Sequence, residues 1–311
     1  MLLLSLCRYA PGAMPAIARL RYLLPGSPKG AVTRFAPSPT GLLHLGHAHS
    51  ALFAAALAEA AGGRVLLRLE DIDATRCRPE FAAAIEADLA WLGLAWDGPV
   101  RVQSRHMPEY RAALDRLAAC GLLYPCFCTR ADIRREVAAA GHAPHLAPRG
   151  PDGPLYPGTC RRLAAAARAD RVAAGEPYAL RLDMGAALAA APADLSFHEL
   201  GEGRLRCDPA QFGDVVLARK DTPASYHLCV THDDAVQGVT LVTRGADLKP
   251  ATHLHRLLQA LLGWPEPAYA HHPLLLGPDG RRLAKRDGAP SLRALREAGR
   301  TPAEVRALAG W

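Results

Sequence analysis

A chain of 311 residues, half of them apolar, is long enough for one large α/β domain or two modest ones and needs no disulfide staples to hold a core. Its net charge of +7 and pI near 9.1 favour an anionic partner such as nucleic acid, although an excess of 33 Arg over 4 Lys, beside much Ala, Gly and Pro, reads more as genomic compositional bias than as selection for phosphate contacts. No run of about 18 uninterrupted apolar residues occurs, so no membrane span is expected, and eight scattered cysteines read as reduced thiols of a cytoplasmic protein.

Residues 1–30 open on a short apolar run without a leading basic segment, then break into Pro, Gly and Ala; a disordered extension is expected there, with Met1 or Met14 as the start. Val32 to Ala36 reads as a strand, Pro37-Ser-Pro-Thr-Gly41 as a turn, and a long Ala/Leu helix begins near Gly46. That order places His44 and His47 at a helix N-terminus, where backbone N–H groups and the helix dipole suit a phosphate. A His-x-x-His pair in such a place is by itself more often packing than a site. Arg64 to Glu70 reads as the next strand, and a right-handed crossover brings Glu70 beside the end of the first strand, where ligands of such sheets gather. Asp71 and Asp73 are read as structural.

Pro79 to Gly93 and Met107 to Cys120 have helical periodicity, with Leu89, Trp91 and Leu92 as core; Gln103 to His106 between them is given no role. Cys126 and Cys128, with Cys160 brought back by a loop, have the makings of a tetrahedral zinc clip, for which spacing alone nominates His142 or His145 as fourth ligand. Cys160 to Ala174 reads as a basic helix, Tyr178 to Asp183 as a strand, and Ser196 to Asp221 as several short strands. A helix containing Tyr226 and a strand ending near Arg244 follow. A guanidinium there suits a carboxylate, because it grips with two parallel hydrogen bonds and stays charged when buried. His253 and His255 read as packing or solvated. His271 to Gly277 reads as a last strand, and Gly280 to Gly288 as a glycine-bounded basic loop.

Taken together, Pro37-Ser-Pro-Thr-Gly41 with His44-Leu-Gly-His47, Glu70-Asp-Ile-Asp73, Tyr226, Arg244 and Arg282-Leu-Ala-Lys285-Arg resemble the motifs of class I aminoacyl-tRNA synthetases of the glutamyl and glutaminyl branch. The resemblance implies that His44, Gly46, His47 and Lys285 bind ATP and stabilise the transition state. It also implies that Arg34, Ser38, Glu70, Tyr226 and Arg244 hold L-glutamate, with Glu70 on the amino group and Arg244 on the side-chain carboxylate. The second nucleotide motif departs from the family, with Arg282 for its first lysine and Ala284 for its usual serine, but keeps Lys285.

Within the branch, the chain resembles the glutamyl-queuosine tRNA(Asp) synthetases, in which a tyrosine four residues before the third cysteine completes the zinc site; Tyr156 occupies that place. The fold implied is α/β: a doubly wound Rossmann-type nucleotide-binding domain with an inserted, zinc-containing acceptor-end subdomain and no anticodon-binding domain. The expected divisions are 1–30 extension, 31–125 first catalytic half, 126–221 insertion, 222–290 second half and 291–311 short helices. The activity implied is ATP-dependent, with Mg²⁺: a cytoplasmic monomer that activates glutamate without tRNA and transfers it to queuosine of tRNA(Asp). The alternatives are a truncated glutamyl-tRNA synthetase acting on tRNA(Glu) and a zinc-bearing RNA-binding module without catalysis.

Overall fold

The computed structural model describes residues 8–9, 26–139, 148–276 and 290–311; Met14, His142, His145 and the basic loop with Arg282, Ala284, Lys285 and Arg286 lie outside the described residues. Its centre is a parallel sheet. Strand β1 (Val32–Phe35) leads through helix α1 (Leu45–Ala60) to β2 (Arg64–Leu69), and helix α2 (Pro79–Trp91) leads to the short β3 (Arg101–Val102). β1 pairs with β2 from Val32↔Arg64 to Phe35↔Leu67, and β2 pairs with β3 at Leu69↔Val102. After helix α3 (Met107–Ala119) and the insertion, helix α4 (Tyr226–Val236), strand β4 (Leu241–Gly245), helix α5 (Lys249–Leu262) and strand β5 (Ala268–His272) form the second half. β4 pairs with β5 in parallel, including Arg244↔His271.

Thr240 stitches the halves together: Val32 N donates to its Oγ1 at 2.9 Å, and its own N donates to Val32 O at 3.0 Å. The order across the sheet is thus β3-β2-β1-β4-β5, and the strand order reverses between β1 and β4, the switch point at which doubly wound sheets open a crevice.

All four residues of β1 are buried, although Val-Thr-Arg-Phe reads as alternating. Helices cover both faces of a parallel sheet, so a central strand has no solvent side. Arg34 and Arg68 therefore end up inside the molecule.

Leu123–Cys126, Ala179–Leu182 and Val216–Ala218 form a separate three-stranded sheet. The hairpin of Ser196–Glu199 and Gly203–Arg206, expected to belong to the insertion, extends the catalytic sheet instead, because Glu199 pairs in parallel with Tyr269 of β5. The helix expected over Cys160 to Ala174 is shorter, Ala165–Ala173, because Cys160 N is already committed to the Tyr156 hydroxyl at 2.8 Å and the Arg168 guanidinium collects the Arg161 and Leu163 carbonyls. The strand expected from His271 to Gly277 is broken after His272, where Pro273 lacks the N–H a ladder needs; Leu275–Leu276 instead pairs antiparallel with Arg8–Tyr9.

One apolar cluster joins Leu114 and Leu117 of α3, Leu228 of α4, Leu254, Leu257 and Leu258 of α5, and Met184, Phe212 and Leu217 of the inserted segment. A second packs α1 and α2 against the short helices Leu292–Glu297 and Pro302–Leu308 through Leu52, Ile85, Leu89, Leu292, Leu295 and Val305. Each such side chain contributes roughly 1.5–3 kcal/mol on burial, so these final helices are part of the catalytic core. No helix among the described residues is long and apolar enough to cross a membrane.

Candidate active site

The crevice between β1 and β4 is a cleft of about 380 Å³ whose walls include Arg34, Ser38, His44, Gly46, His47, Glu70, Tyr226 and Arg244. Every described residue nominated from the sequence for amino-acid or nucleotide binding therefore meets in one place; Lys285 alone lies outside the described residues. Gly245 at the end of β4 gives the wall its closeness, since a Cβ there would stand 2.6 Å from Asp247 Oδ1 and 2.8 Å from Leu274.

His44 and His47 form the lip of α1. His44 is its N-cap, with Nδ1 accepting from Gly46 N at 3.1 Å, while His44 N donates to His47 Nδ1 at 3.2 Å. A backbone N–H can only donate, so both Nδ1 atoms are acceptors and each neutral ring carries its proton on Nε2. The capping geometry thus selects the tautomer that presents two N–H donors at the dipole-positive end of a helix.

Behind the cleft lies a buried charge network. Arg68 is wholly buried; it donates to Asp234 Oδ1 at 2.8 Å, to Gln237 at 3.1 Å and to Glu70 Oε1 at 3.3 Å. Arg34 donates through Nε to the same Asp234 oxygen at 2.8 Å and through Nη1 to Thr243 O at 2.8 Å. The neighbouring Asp233 receives Arg101 at 2.8 Å, Gln103 at 2.9 Å and the Tyr110 hydroxyl at 2.9 Å. Burial would raise both aspartates, but the hydrogen bonds and nearby guanidinium charges outweigh it and hold them below the ordinary carboxylate value. Glu70 goes the other way: burial raises it despite Arg68 and Arg34, which leaves a carboxyl that gains from a cation in the cleft.

Arg244 has a different setting. It is 6% exposed, and its Nη1 donates to His255 Nδ1 at 2.9 Å and its Nη2 to Thr252 Oγ1 at 3.1 Å. Its buried Nε has no hydrogen-bond partner among the described residues. His255, expected to be packing or solvated, is instead buried and in direct contact with the cleft arginine, because α5 starts just beyond the end of β4 and turns its first two turns back over Arg244. His253 fits its expectation, with Nδ1 accepting from Asp208 N at 3.0 Å. The Asp71 carboxylate takes Ser104 N at 2.8 Å and Asp73 takes Thr75 N at 3.2 Å, both structural as read.

In the insertion, the sulfurs of Cys126, Cys128 and Cys160 lie within 4.8 Å of one another. The Tyr156 hydroxyl stands 3.4 Å from Cys128 Sγ, and Phe127 N donates to Cys160 Sγ at 3.4 Å. Zinc thiolates with bonds of about 2.3 Å sit a little under 4 Å apart around a tetrahedron, so the three sulfurs fit that ion and the phenol oxygen lies on the same cluster. Burial opposes ionisation throughout the cluster: it pushes the Cys128 thiol up to about 11, whereas at Cys160 hydrogen bonds from Tyr156 and from Phe127 N outweigh it and lower the pKa.

Sequence reading missed Asp233, Asp234, Gln103 and His255. The available signal was two adjacent aspartates in the helix that carries Leu228, Cys229 and Val230, matched by an arginine inside each of two strands bound for the core.

The sequence profile of the class I tRNA synthetases (E and Q), catalytic domain, matches residues 31–308. The glutamyl-Q tRNA(Asp) synthetase of Rhodobacter capsulatus is 49% identical over 284 residues, covering 90% of this chain and 99% of that protein; the one from Nocardia farcinica is 48% identical over 90% and 83%. Among solved structures, a glutamate tRNA ligase from Elizabethkingia meningosepticum in complex with its amino acid superposes with a TM-score of 0.69 at 30% identity, covering 83% of this chain. The chain spans about half of that ligase, 52% of its length. A cleft at the switch point of a doubly wound sheet, a profile match along most of the sequence and near-full-length relatives at almost half identity converge, and the chain belongs to the glutamyl-Q tRNA(Asp) synthetases within the class I (E and Q) family.

Proposed function

We propose that this cleft activates glutamate with ATP, in the absence of tRNA, and passes the glutamyl group to the queuosine base of tRNA(Asp). The observation that carries the reading is the joint placement of Glu70 and Arg244 in the cleft whose lip is formed by His44 and His47. In this reading Glu70 takes the substrate ammonium, Arg244 its side-chain carboxylate, and Arg34, Ser38 and Tyr226 complete the pocket. The α-carboxylate oxygen attacks the α-phosphorus of ATP, the bond to the bridging oxygen breaks and pyrophosphate departs; the Nε2–H groups of His44 and His47 stabilise the oxygens on which charge builds. Lys285, with Mg²⁺, neutralises the departing pyrophosphate. A ring hydroxyl of queuosine then attacks the acyl carbonyl and releases AMP. The protein supplies position and charge and needs no nucleophile of its own.

The segment 126–221 faces the RNA in this reading, with Cys126, Cys128, Cys160 and Tyr156 holding one structural zinc; the enzyme acts as a cytoplasmic monomer. Metal analysis of purified protein should give one zinc per chain, lost in a Cys126→Ala, Cys128→Ala double variant and reduced in Tyr156→Phe; full zinc retention in the double variant would dispose of the site.

The activity test is glutamate-dependent pyrophosphate exchange without tRNA, followed by transfer of labelled glutamate to tRNA(Asp) with and without queuosine, each also after periodate oxidation. Transfer that requires queuosine and is abolished by oxidation of its diol is expected. Label on the terminal ribose of tRNA(Glu), independent of queuosine, would replace this reading with that of a tRNA(Glu)-charging enzyme, and absence of exchange would favour a binding module.

A further inference from the structure

Two relays of uncharged groups hold Arg244. In the first, Arg244 Nη1 meets His255 Nδ1 at 2.9 Å, His255 Nε2 meets His227 Nδ1 at 3.0 Å, and His227 Nε2 meets Asp152 Oδ2 at 2.9 Å. A guanidinium has only donors, which fixes every proton in the chain: His255 accepts on Nδ1 and donates from Nε2, His227 accepts on Nδ1 and donates from Nε2, and the Asp152 carboxylate receives the last one. In the second, Arg244 Nη2 donates to Thr252 Oγ1 at 3.1 Å, that hydroxyl faces His271 Nε2 at 3.4 Å, and His271 Nδ1 meets Glu199 Oε2 at 2.8 Å. Both relays end in a carboxylate, but neither carboxylate touches the arginine.

We infer that His255, backed by His227 and Asp152, is a specificity-determining positioning residue, which orients Arg244 with an uncharged acceptor so that the guanidinium keeps its full charge for an anionic amino-acid side chain. The inference rests on the proposed role of Arg244 and names what makes that role selective. A carboxylate at the place of His255 would orient the arginine equally well, but would neutralise it and leave little preference between an acid and its amide. Arg34 and Arg68, in the buried charge network behind the cleft, are held in that second manner by Asp234. The groups that act most strongly on His255 besides burial are Arg244, His227, Arg34 and His271, and all of them oppose its protonation. The fold supplies the relay's outer end deliberately close: the hairpin Arg149–Gly150 and Gly153–Pro154 is pressed so tightly on the 209–212 turn that a Cβ on Gly150 would meet Gln211 O at 2.2 Å, and this seats Asp152 on His227.

Asparagine and aspartate both place an oxygen where His255 has Nδ1, and they differ only in charge. His255→Asn should keep the KM for glutamate within about threefold of the parent, whereas His255→Asp should raise it about tenfold or more and reduce the preference for glutamate over glutamine by a similar factor, with kcat changing less than KM. Pyrophosphate exchange with each amino acid reads both quantities, and thermal melts report folding. Equal KM and equal preference in the two variants would overturn the inference. Asp152→Ala, a change at an exposed side chain, guards against misfolding of the buried variants: a rise of about threefold in glutamate KM supports the relay, and no change overturns it. Arg244→Leu separates the two levels of argument. If it leaves glutamate use intact, the pocket reading itself fails; if it destroys glutamate use while the His255 pair behave alike, only the relay fails.

Discussion

The floor and the wall of the cleft use the same side chain in opposite ways. On the floor, Arg34 and Arg68 share the Asp234 carboxylate, and Arg101 binds Asp233 beside it, so positive and negative charge cancel inside the protein. On the wall, Arg244 is fastened by an imidazole and a hydroxyl and keeps an unpartnered Nε among the described residues. The difference separates two jobs. A neutralised guanidinium ties strands to a helix, whereas one held by neutral groups remains available to an anion from outside.

The largest effect should come from breaking the floor. Arg68→Leu leaves Glu70 in the interior without its guanidinium and leaves Asp234 to Arg34 alone, and loss of one partner of a buried ion pair costs about 3–5 kcal/mol, read as a lower denaturation midpoint with loss of activity. Next comes the wall. Arg244→Leu should remove about 2–4 kcal/mol of substrate binding, read in kcat/KM for glutamate, with a melting temperature close to the parent's. A variant that unfolds would place Arg244 with the floor and erase the contrast.

The smallest and most graded effect is with pH. His49, His253, His255 and His271 all titrate below the ordinary 6.5, with burial as the leading cause. The unfolded chain therefore takes up protons first as pH falls, and stability declines from about pH 6.5 downward until the folded values are reached. Asp233 and Asp234 are lowered from 3.8, so their stabilisation is intact above that value and is lost only below it. Denaturation midpoints from pH 8 to pH 3 should show two steps, with the upper one shallower in His255→Asn. A curve flat down to pH 4 would contradict the neutral state of the wall histidines.

What the sequence revealed follows the distance between partners. His44 and His47 lie in one short stretch with their turn and helix, so local order alone places them. Glu70 required one crossover, which chirality decides. The arginine of β1 is nominated for the substrate by its place in the motif, but its internal partner was illegible: that aspartate stands 200 positions later, on a helix whose neighbour is set by the strand order β3-β2-β1-β4-β5. His255 was illegible for the same reason. A histidine on an amphipathic helix has many uses, and only the return of α5 over the end of β4 turns this one toward Arg244. The cysteine clip sits between these cases: Cys126 and Cys128 are local, and Tyr156 and Cys160 share a single turn, so the cluster was readable although its closure depends on how the loop comes back.

The long reach of the floor has a consequence for how the chain comes into being on the ribosome. Asp234 emerges 200 residues after Arg34 and 166 after Arg68, an interval on the order of 10–40 s at ordinary rates of synthesis. Throughout that time Arg34 lacks the carboxylate that receives it and Arg68 has Glu70 alone, so closing a dry sheet around both would bury charge with incomplete compensation. The nascent first half is therefore expected to stay hydrated around Arg34 until α4 arrives, so that closure of this part of the core waits on the second half.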